Sequence, residues 1–301
     1  MTKPSISLVF FGTGPVSLVT LQALAAQFTI EAVITKPDST WHGKTTAPPV
    51  KDWAVDQQIA VYQPADRAAL TALIETQPFT SAIGIAIDYG LIMDKSVIES
   101  FPKRIINSHF SLLPRWRGAD PIRAALLAGD QVTGISLFLI EPQLDTGPLL
   151  TQAKLTIDPH DTYASLRAKL MALSNQLLVE TLPRYFDGHL SPRPQPTAGV
   201  TYAPKLHKSD GLIDWTKPAS QLEREVRAYL GWPGSYTTLK KMNIIITQST
   251  VVTQQGPIGE LTVENDIPMV HAGRDSLRLD RIKPAGKTEM SGTDFARGYL
   301  R

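Results

Sequence analysis

Residues 6–36 carry the pattern that most restricts how this chain can fold. "ISLVFF" (6–11) is a short apolar run that stops at Gly12. Such a run fits a strand buried on both faces, the situation of a parallel sheet covered by helices. "PVSLVTLQALAAQ" (15–27) follows, with Val16, Val19, Leu21, Leu24 and Ala25 at roughly helical spacing and Pro15 tolerated in the first turn. "TIEAVITK" (29–36) reads as the next strand. A strand, a helix and a second strand in this order make a β-α-β unit, and so imply a parallel sheet.

The alternation continues. Helices are expected over 66–76, 94–100 and 120–129, and strands over 79–88, 103–109, 133–142 and the later part of 143–157. A longer amphipathic helix is expected over 161–182, with Asp161 as its N-cap and Leu166, Leu170, Leu173 and Leu177 on one face. Repeated β-α alternation predicts an α/β domain with a Rossmann-like, doubly wound, mostly parallel sheet. "GHLSPRPQPTAG" (188–199) breaks the composition with three prolines and reads as a linker. Beyond it come one helix (217–230) and short alternating segments, "SYTTL", "NIIITQSTVV", "IGELTV", "PMVHA" and "SLRLDRI". These predict a small antiparallel barrel of the OB type. The expected division is a body over 1–188, a linker over 189–208 and a C-terminal domain over 209–301.

Composition excludes several classes. The 301 residues include no cysteine, which removes disulfide scaffolds, thiolate metal sites and Cys nucleophiles, and makes a reducing cytoplasm the natural setting. No apolar run approaches the ~20 residues needed to span a bilayer. The N-terminus enters a Gly-rich turn too soon for a signal peptide. His42, His160, His189, His207 and His271 are scattered without ligand spacing, so no metal is expected. Charge is uneven: residues 1–190 carry 15 Lys/Arg against 17 Asp/Glu, and residues 191–301 carry 15 against 11, giving −2 and +4. A basic tail on a neutral body hints at a polyanionic partner, although from charge alone a solvated surface is the better reading.

"GTGPVS" (12–17) superficially suggests a dinucleotide-binding fingerprint. Ser17 stands at the third glycine position, Pro15 lies inside the loop, and Asp38 is in a Pro-containing loop and not at the end of the second strand. A tight strand-to-helix turn without a dinucleotide is the better reading.

The informative stretch is "INSHFSLLPRWRGADP" (105–120). Ile105 and Ile106 end a buried strand, and Asn107 and His109 then occupy its carboxyl end. In an open parallel sheet ligands bind at that edge. Period-2 geometry puts both side chains on one face. Asp145 of "LDTGP" lies in the loop after the 133–142 strand and can reach the same crevice. The amide can donate to a carbonyl oxygen that becomes an oxyanion. The carboxylate can orient the imidazole and favour its cation, and a water held by the pair can carry a proton from an attacking amine to a leaving group. No Ser, Cys or Lys nucleophile is evident here, so direct transfer between two bound substrates fits best.

"INSHFSLLPRWRGADPI" followed by "TGISLFLIEPQLDTGPLL" closely resembles the 10-formyltetrahydrofolate-dependent formyltransferases. "YGLIM" (89–93), "VTYAPKLHKSDGLIDW" (200–215), "GWPGSY" (231–236) and "LRLDRIKPAGKTEMSG" (277–292) extend the resemblance along the chain, toward the branch that formylates methionyl-tRNA. The resemblance implies that Asn107, His109 and Asp145 are catalytic. It implies that Ser111, Leu112, Leu113 and Pro114 contact folate, and that Asp88, Tyr89, Gly90, Leu91 and Ile92 line the pterin pocket. The implied reaction moves the formyl group of 10-formyltetrahydrofolate to the α-amino group of methionyl-initiator tRNA in the cytoplasm. A monomer is expected. The nearest rival is a formyltransferase acting on the amine of a sugar nucleotide.

The chain departs from the family pattern in three places. Its first turn reads "GTGPVS", where the family has Gly-Thr-Pro and then an aromatic residue. Ser108 and Phe110 flank His109 and by alternation point away from it. The loop "TKPDSTWHGKTTAPPVK" (35–51) is shorter and less basic than the family's tRNA-contacting insertion, and its tip keeps only Trp41, His42 and Lys44 as nucleic-acid candidates. Fewer cations predict weaker or redistributed tRNA contacts. Arg115 and Arg117 beside the site, and Lys205, Lys208, Lys240, Lys241, Arg274, Arg278 and Arg281 in the tail, are the other candidates.

Overall fold

The computed structural model describes residues 6–41 and 44–300, apart from the side chain of Trp41. In chain order the first part runs β1 (Ser7–Gly12), α1 (Pro15–Ala25), β2 (Thr29–Ile34), β3 (Ser39–Trp41), β4 (Lys44–Thr46), α2 (Pro49–Asp56), β5 (Ala60–Tyr62), α3 (Arg67–Thr76) and β6 (Ile83–Ile87). It continues with α4 (Lys95–Glu99), β7 (Ile105–His109), β8 (Arg117–Gly118), α5 (Pro121–Ala128), β9 (Val132–Leu139), β10 (Leu149–Thr156) and α6 (Tyr163–Phe186). The chain divides into two compact units. One comprises residues 1–118, 133–155 and 169–202, and the other 119–132, 156–168 and 203–301.

The first unit is organised by a seven-stranded sheet in the order β10-β9-β7-β6-β1-β2-β5. β1 pairs in parallel with both β2 and β6, β2 with β5, and β6 with β7, while β9 runs antiparallel to β7. The apolar runs read from the sequence are the central strands, and Leu8, Val9, Phe10 and Phe11 are fully buried. Their neighbours Ile34, Leu70, Ala86, Val97, Phe101 and Ile105 close the core on one side of the sheet. The Gly-rich turn serves this packing: a Cβ on Gly12 would lie 2.7 Å from Ser17 Cβ and 3.0 Å from the Ile87 carbonyl oxygen. Ser17 Oγ donates to that carbonyl at 2.6 Å and accepts from the Thr13 N–H at 3.1 Å, which ties the start of α1 to β6.

Several local expectations need correction. The strand expected over 79–88 starts only at Ile83, because the N–H groups of Thr80 and Ser81 donate to the Glu31 carboxylate and not to a ladder. The helix expected from 161 begins at Tyr163, and Thr162 Oγ1 accepts from the Ser165 N–H. Asp161 instead accepts from the Asp158 N–H and the Ser165 hydroxyl. The buried stripe of α6 runs through Leu166, Leu170, Ser174, Leu178 and Leu182, an unbroken i, i+4 row, and Leu173 and Leu177 flank it half-buried. The stretch 35–51, read as loop, contains the β3–β4 hairpin and the start of α2, and β5 follows at Ala60–Tyr62.

β11 (Tyr202–Ala203) lies at the boundary of the two units, and the second unit goes on with a 3-10 turn at 208–211, α7 (Ala219–Tyr229), β12 (Ser235–Leu239), β13 (Met242–Val252), β14 (Leu261–Glu264), β15 (Ile267–His271), β16 (Ser276–Pro284), β17 (Met290–Ser291) and α8 (Gly292–Tyr299). Its sheet is antiparallel, in the order β12-β13-β16-β15-β14 with β17 on β16. Its core gathers Leu222 and Val226 of α7, Ile244 and Ile246 of β13, Leu277, Leu279 and Ile282 of β16, and Phe295 of α8. No helix among the described residues is long and apolar enough to cross a membrane.

Candidate active site at the carboxyl edge of the sheet

β7 places the polar pair. Its register sets Asn107 opposite Ala86 of β6 and Phe138 of β9, and His109 opposite Ser136 of β9. Alternation sends Ser108 to the other face, where its hydroxyl meets that of Ser174 at 2.6 Å. Asn107 is half-buried, and its carboxamide makes no hydrogen bond among the described residues. A donor on a rigid strand is therefore available to an incoming carbonyl.

His109 is buried and held on two sides. Its Nε2 lies 2.8 Å from the Trp116 carbonyl oxygen, and its Nδ1 faces Asp145 Oδ2 at 3.7 Å. A carbonyl can only accept, so Nε2 carries its proton; the second nitrogen faces a carboxylate, which also only accepts. At 3.7 Å that carboxylate oxygen lies beyond hydrogen-bond distance and faces the ring as a neighbouring negative group. Phe138 packs edge-on against the ring, with centroids 6.5 Å apart. Asp145 is buried at φ +52°, a backbone conformation that Asp tolerates, and its Oδ2 accepts from the Gly118 N–H at 2.8 Å.

The "SLLP" loop is fastened by one hydroxyl. Ser136, fully buried on β9, donates to the Ser111 carbonyl at 2.7 Å and accepts from the Leu113 N–H at 2.9 Å and Gln152 Nε2 at 2.8 Å. Gln152 also donates to the Leu113 carbonyl at 2.9 Å. Ser111 Oγ bonds the Arg115 carbonyl at 2.6 Å, and the Leu113–Pro114 peptide is cis. Leu113 is buried, and Leu112 lies against Gly134, where a Cβ would come within 2.6 Å of its Cδ2. These two side chains anchor the loop to the sheet.

β6 ends beside β7 and delivers the 88–92 stretch to the same edge. Asp88 is exposed at a positive φ; partial desolvation by its neighbours pushes its carboxyl pKa up, an effect that the Lys36 ammonium opposes. The Tyr89 ring is not at the surface: it is buried edge-on to Phe11, and burial pushes its phenol well above the usual range. Gly90 approaches Lys36, Leu91 is half-buried and Ile92 is exposed. A cavity of about 510 Å³ opens between α4 and the loop that leads to Asp145, lined by Lys95, Ile98, Glu99, Arg104, Leu139, Ile140, Glu141, Pro142 and Pro148.

The basic candidates separate into distinct environments. Lys44 is exposed on β4, whereas His42 and the side chain of Trp41 lie outside the described residues. The Arg115 guanidinium lies over the Trp116 ring at 4.2 Å. Arg117 donates through Nε and Nη2 to Gln195 Oε1 at 3.2 and 2.7 Å. Lys208 donates to the Pro233 carbonyl and lies over Tyr236. Lys205 is exposed, as are Lys240 and Lys241, which form the turn between β12 and β13 at φ +48° and +65°. Arg274, Arg278 and Arg281 face Asp275, Asp280 and Glu289.

Three residues of the site escaped the sequence reading: Ser136, Gln195 and Thr201. Thr201 Oγ1 accepts from the Trp116 N–H at 2.9 Å, and its backbone carbonyl accepts from the Arg117 N–H. The stretch read as an interdomain linker therefore borders the site loops.

Comparison with known proteins identifies the family. A formyl transferase family model matches residues 8–182, and a formyl transferase C-terminal domain model matches residues 205–300. A protein named methionyl-tRNA formyltransferase from Magnetococcus marinus is 40% identical over 299 residues, covering 97% of this chain and 95% of that protein. One of the same name from Myxococcus xanthus is 38% identical over 302 residues, covering 99% and 96%. Among solved structures, the N-formyltransferase from Helicobacter canadensis, in complex with folinic acid and dTDP-3-aminofucose, superimposes with a TM-score of 0.70 at 18% identity, covering 91% of this chain and 99% of that one. Glycinamide ribonucleotide transformylase 1 from Symbiobacterium toebii gives 0.54 at 23% identity, covering 64% and 94%. At these identities the structural likeness speaks for the fold.

Proposed function

This chain belongs to the formyl transferase family, and on that premise we propose that it transfers the formyl group of 10-formyltetrahydrofolate to the α-amino group of methionyl-initiator tRNA. The observation that carries the chemistry is the His109 ring, clasped between a carbonyl and the Asp145 carboxylate, with the Asn107 carboxamide, unpaired among the described residues, on the same strand face. The methionyl acceptor is supported by relatives of that name at 35–40% identity along nearly the whole chain.

The neutral amine attacks the formyl carbon, and the carbonyl electrons move to the oxygen. Asn107 donates a hydrogen bond to that oxyanion, and the imidazolium charge of His109 stabilises it. Asp145 holds the charge in place. Collapse breaks the bond between the carbon and N10 of the folate. The proton lost by the amine passes to N10, through a water held beside His109 and Asp145. No bond to the protein forms. Ser111 to Pro114 and the 88–92 backbone are the proposed folate contacts. The 510 Å³ cavity beside the Asp145 loop offers a concave wall for a pteridine.

Steady-state assays with radiolabelled formyl donor test the acceptor. Formyl-methionyl-tRNA should accumulate, and an amino-sugar nucleotide should remain unmodified. Formylation of the sugar alone would refute the assignment.

A further inference from the structure

We propose that Gln195 is a positioning residue that sets the Asp145 carboxylate against His109. The inference rests on the formyl-transfer reading of this site. Residues 191–194 and 196–199 are exposed, and Gln195 alone among them is half-buried. Its Nε2 donates to two backbone carbonyls of the catalytic turn, Asp145 O and Gly147 O, each at 2.8 Å. Its Oε1 accepts the Arg117 guanidinium at 3.2 and 2.7 Å. Backbone bonds fix the approach: Leu149 and Arg193 exchange both N–H···O contacts, at 2.7 and 2.8 Å, two residues before Gln195.

The chemistry of these partners admits only a carboxamide. Two carbonyls need a two-proton donor, and a guanidinium needs an acceptor, so one end of the side chain must be NH₂ and the other C=O. A glutamate would keep Arg117 and turn an acceptor toward two acceptors. The clasp matters because Asp145 has φ +52°. The only hydrogen bond to its carboxylate among the described residues comes from Gly118. The turn is therefore held from behind, through its carbonyls, and Gln195 is the side chain that holds it. Arg117, expected to reach phosphate, serves here as the anchor of the clasp.

The test compares Gln195→Met, which keeps length and loses every polar contact, with Gln195→Glu. In each, kcat for formyl transfer to methionyl-tRNA should fall roughly 10–100-fold, the cost of a misplaced catalytic group. The KM for methionyl-tRNA and the Kd of 5-formyltetrahydrofolate should stay within about twofold, as for a residue that acts on the transition state. In an Asp145→Asn background, Gln195→Met should cause no further loss, because the group it positions is already gone. Wild-type kcat in either variant, or a full additional loss on top of Asp145→Asn, overturns the proposal. A wild-type protein inert toward methionyl-tRNA would instead refute the formyl-transfer reading and leave a different signature, with no activity in any variant.

Discussion

Replacing Asp145 with Asn isolates what the carboxylate charge contributes. The shape is nearly unchanged, and an amide oxygen can still accept the Gly118 N–H that Asp145 Oδ2 accepts at 2.8 Å. What disappears is one negative charge 3.7 Å from His109 Nδ1. At an effective dielectric near 20, unit charges at about 4 Å attract by about 4 kcal/mol. That value is a ceiling, because part of it is spent on keeping the carboxylate out of water. If half to three-quarters of it is expressed as stabilisation of the imidazolium in the transition state, kcat falls roughly 30–150-fold, at 1.36 kcal/mol per tenfold.

Single-turnover formylation of methionyl-tRNA at saturating donor measures that step directly. The KM for tRNA should not move, because Asp145 is buried beneath the imidazole. Thermal unfolding should show a folded variant. Asp145→Ala, which also strands the Gly118 N–H, should be slower still and less stable. A kcat for Asp145→Asn within about threefold of wild type would mean that the imidazole does not work as a cation here, and the argument from its two acceptors would fail.

Asn107→Ala should lower kcat by about 10²–10³ through loss of the oxyanion donor. Its melting temperature should barely change, because the carboxamide makes no hydrogen bond among the described residues. Ser136→Ala should cost about 1–3 kcal/mol in denaturant titration, since it strands a buried N–H and a buried carbonyl, and the loosened "SLLP" loop should raise the KM for the folate donor. Asp38 is held below the usual carboxylate range, first by hydrogen bonding from Lys51 and then by Gln63. Its stabilising contribution is therefore present above the unfolded-state pKa and lost as pH falls through the lowered folded value; melting temperatures between about pH 2 and 6 should show a shallower acid slope for Asp38→Asn. Lys240→Ala with Lys241→Ala should weaken tRNA binding at low salt and reduce the slope of log K against log salt by up to about 2, measured by filter binding.

The central strands and the polar pair were legible because a period-2 pattern is local: Ile105 to His109 state their faces without reference to the rest of the chain. α2 escaped because it is eight residues long and buries only Val50 and Ala54, too few to set a period. α8 had a usable signal, a Ser291 cap three residues before Asp294, whose N–H the Ser291 hydroxyl accepts. Gln195 had none. A glutamine in a Pro-rich polar stretch has the composition of any solvated linker, and its meaning depends on carbonyls about 50 residues away. Ser136 was hidden for a related reason, since a serine among apolar residues reads as a tolerated small side chain until its three partners are brought to it.

The backbone at the site explains why so many polar groups converge there. Ten non-glycine residues among those described have positive φ, and five of them are Asp or Asn, which accept that conformation readily. Trp116 is the aromatic exception, at φ +62°. A bulky residue holds such a conformation only where the surroundings impose it. Here its N–H is taken by Thr201, its carbonyl by His109, and its ring lies under Arg115. The strain lets one peptide segment set a carbonyl against Nε2 of the imidazole while Asp145, itself at positive φ, faces the other nitrogen. Both acceptors of His109 thus sit on turns that would relax if left alone. Each is tied down by a residue of the same 193–201 strap: Thr201 holds the Trp116 turn and Gln195 holds the Asp145 turn. A segment with the composition of a linker thus ties down both turns that face the His109 ring.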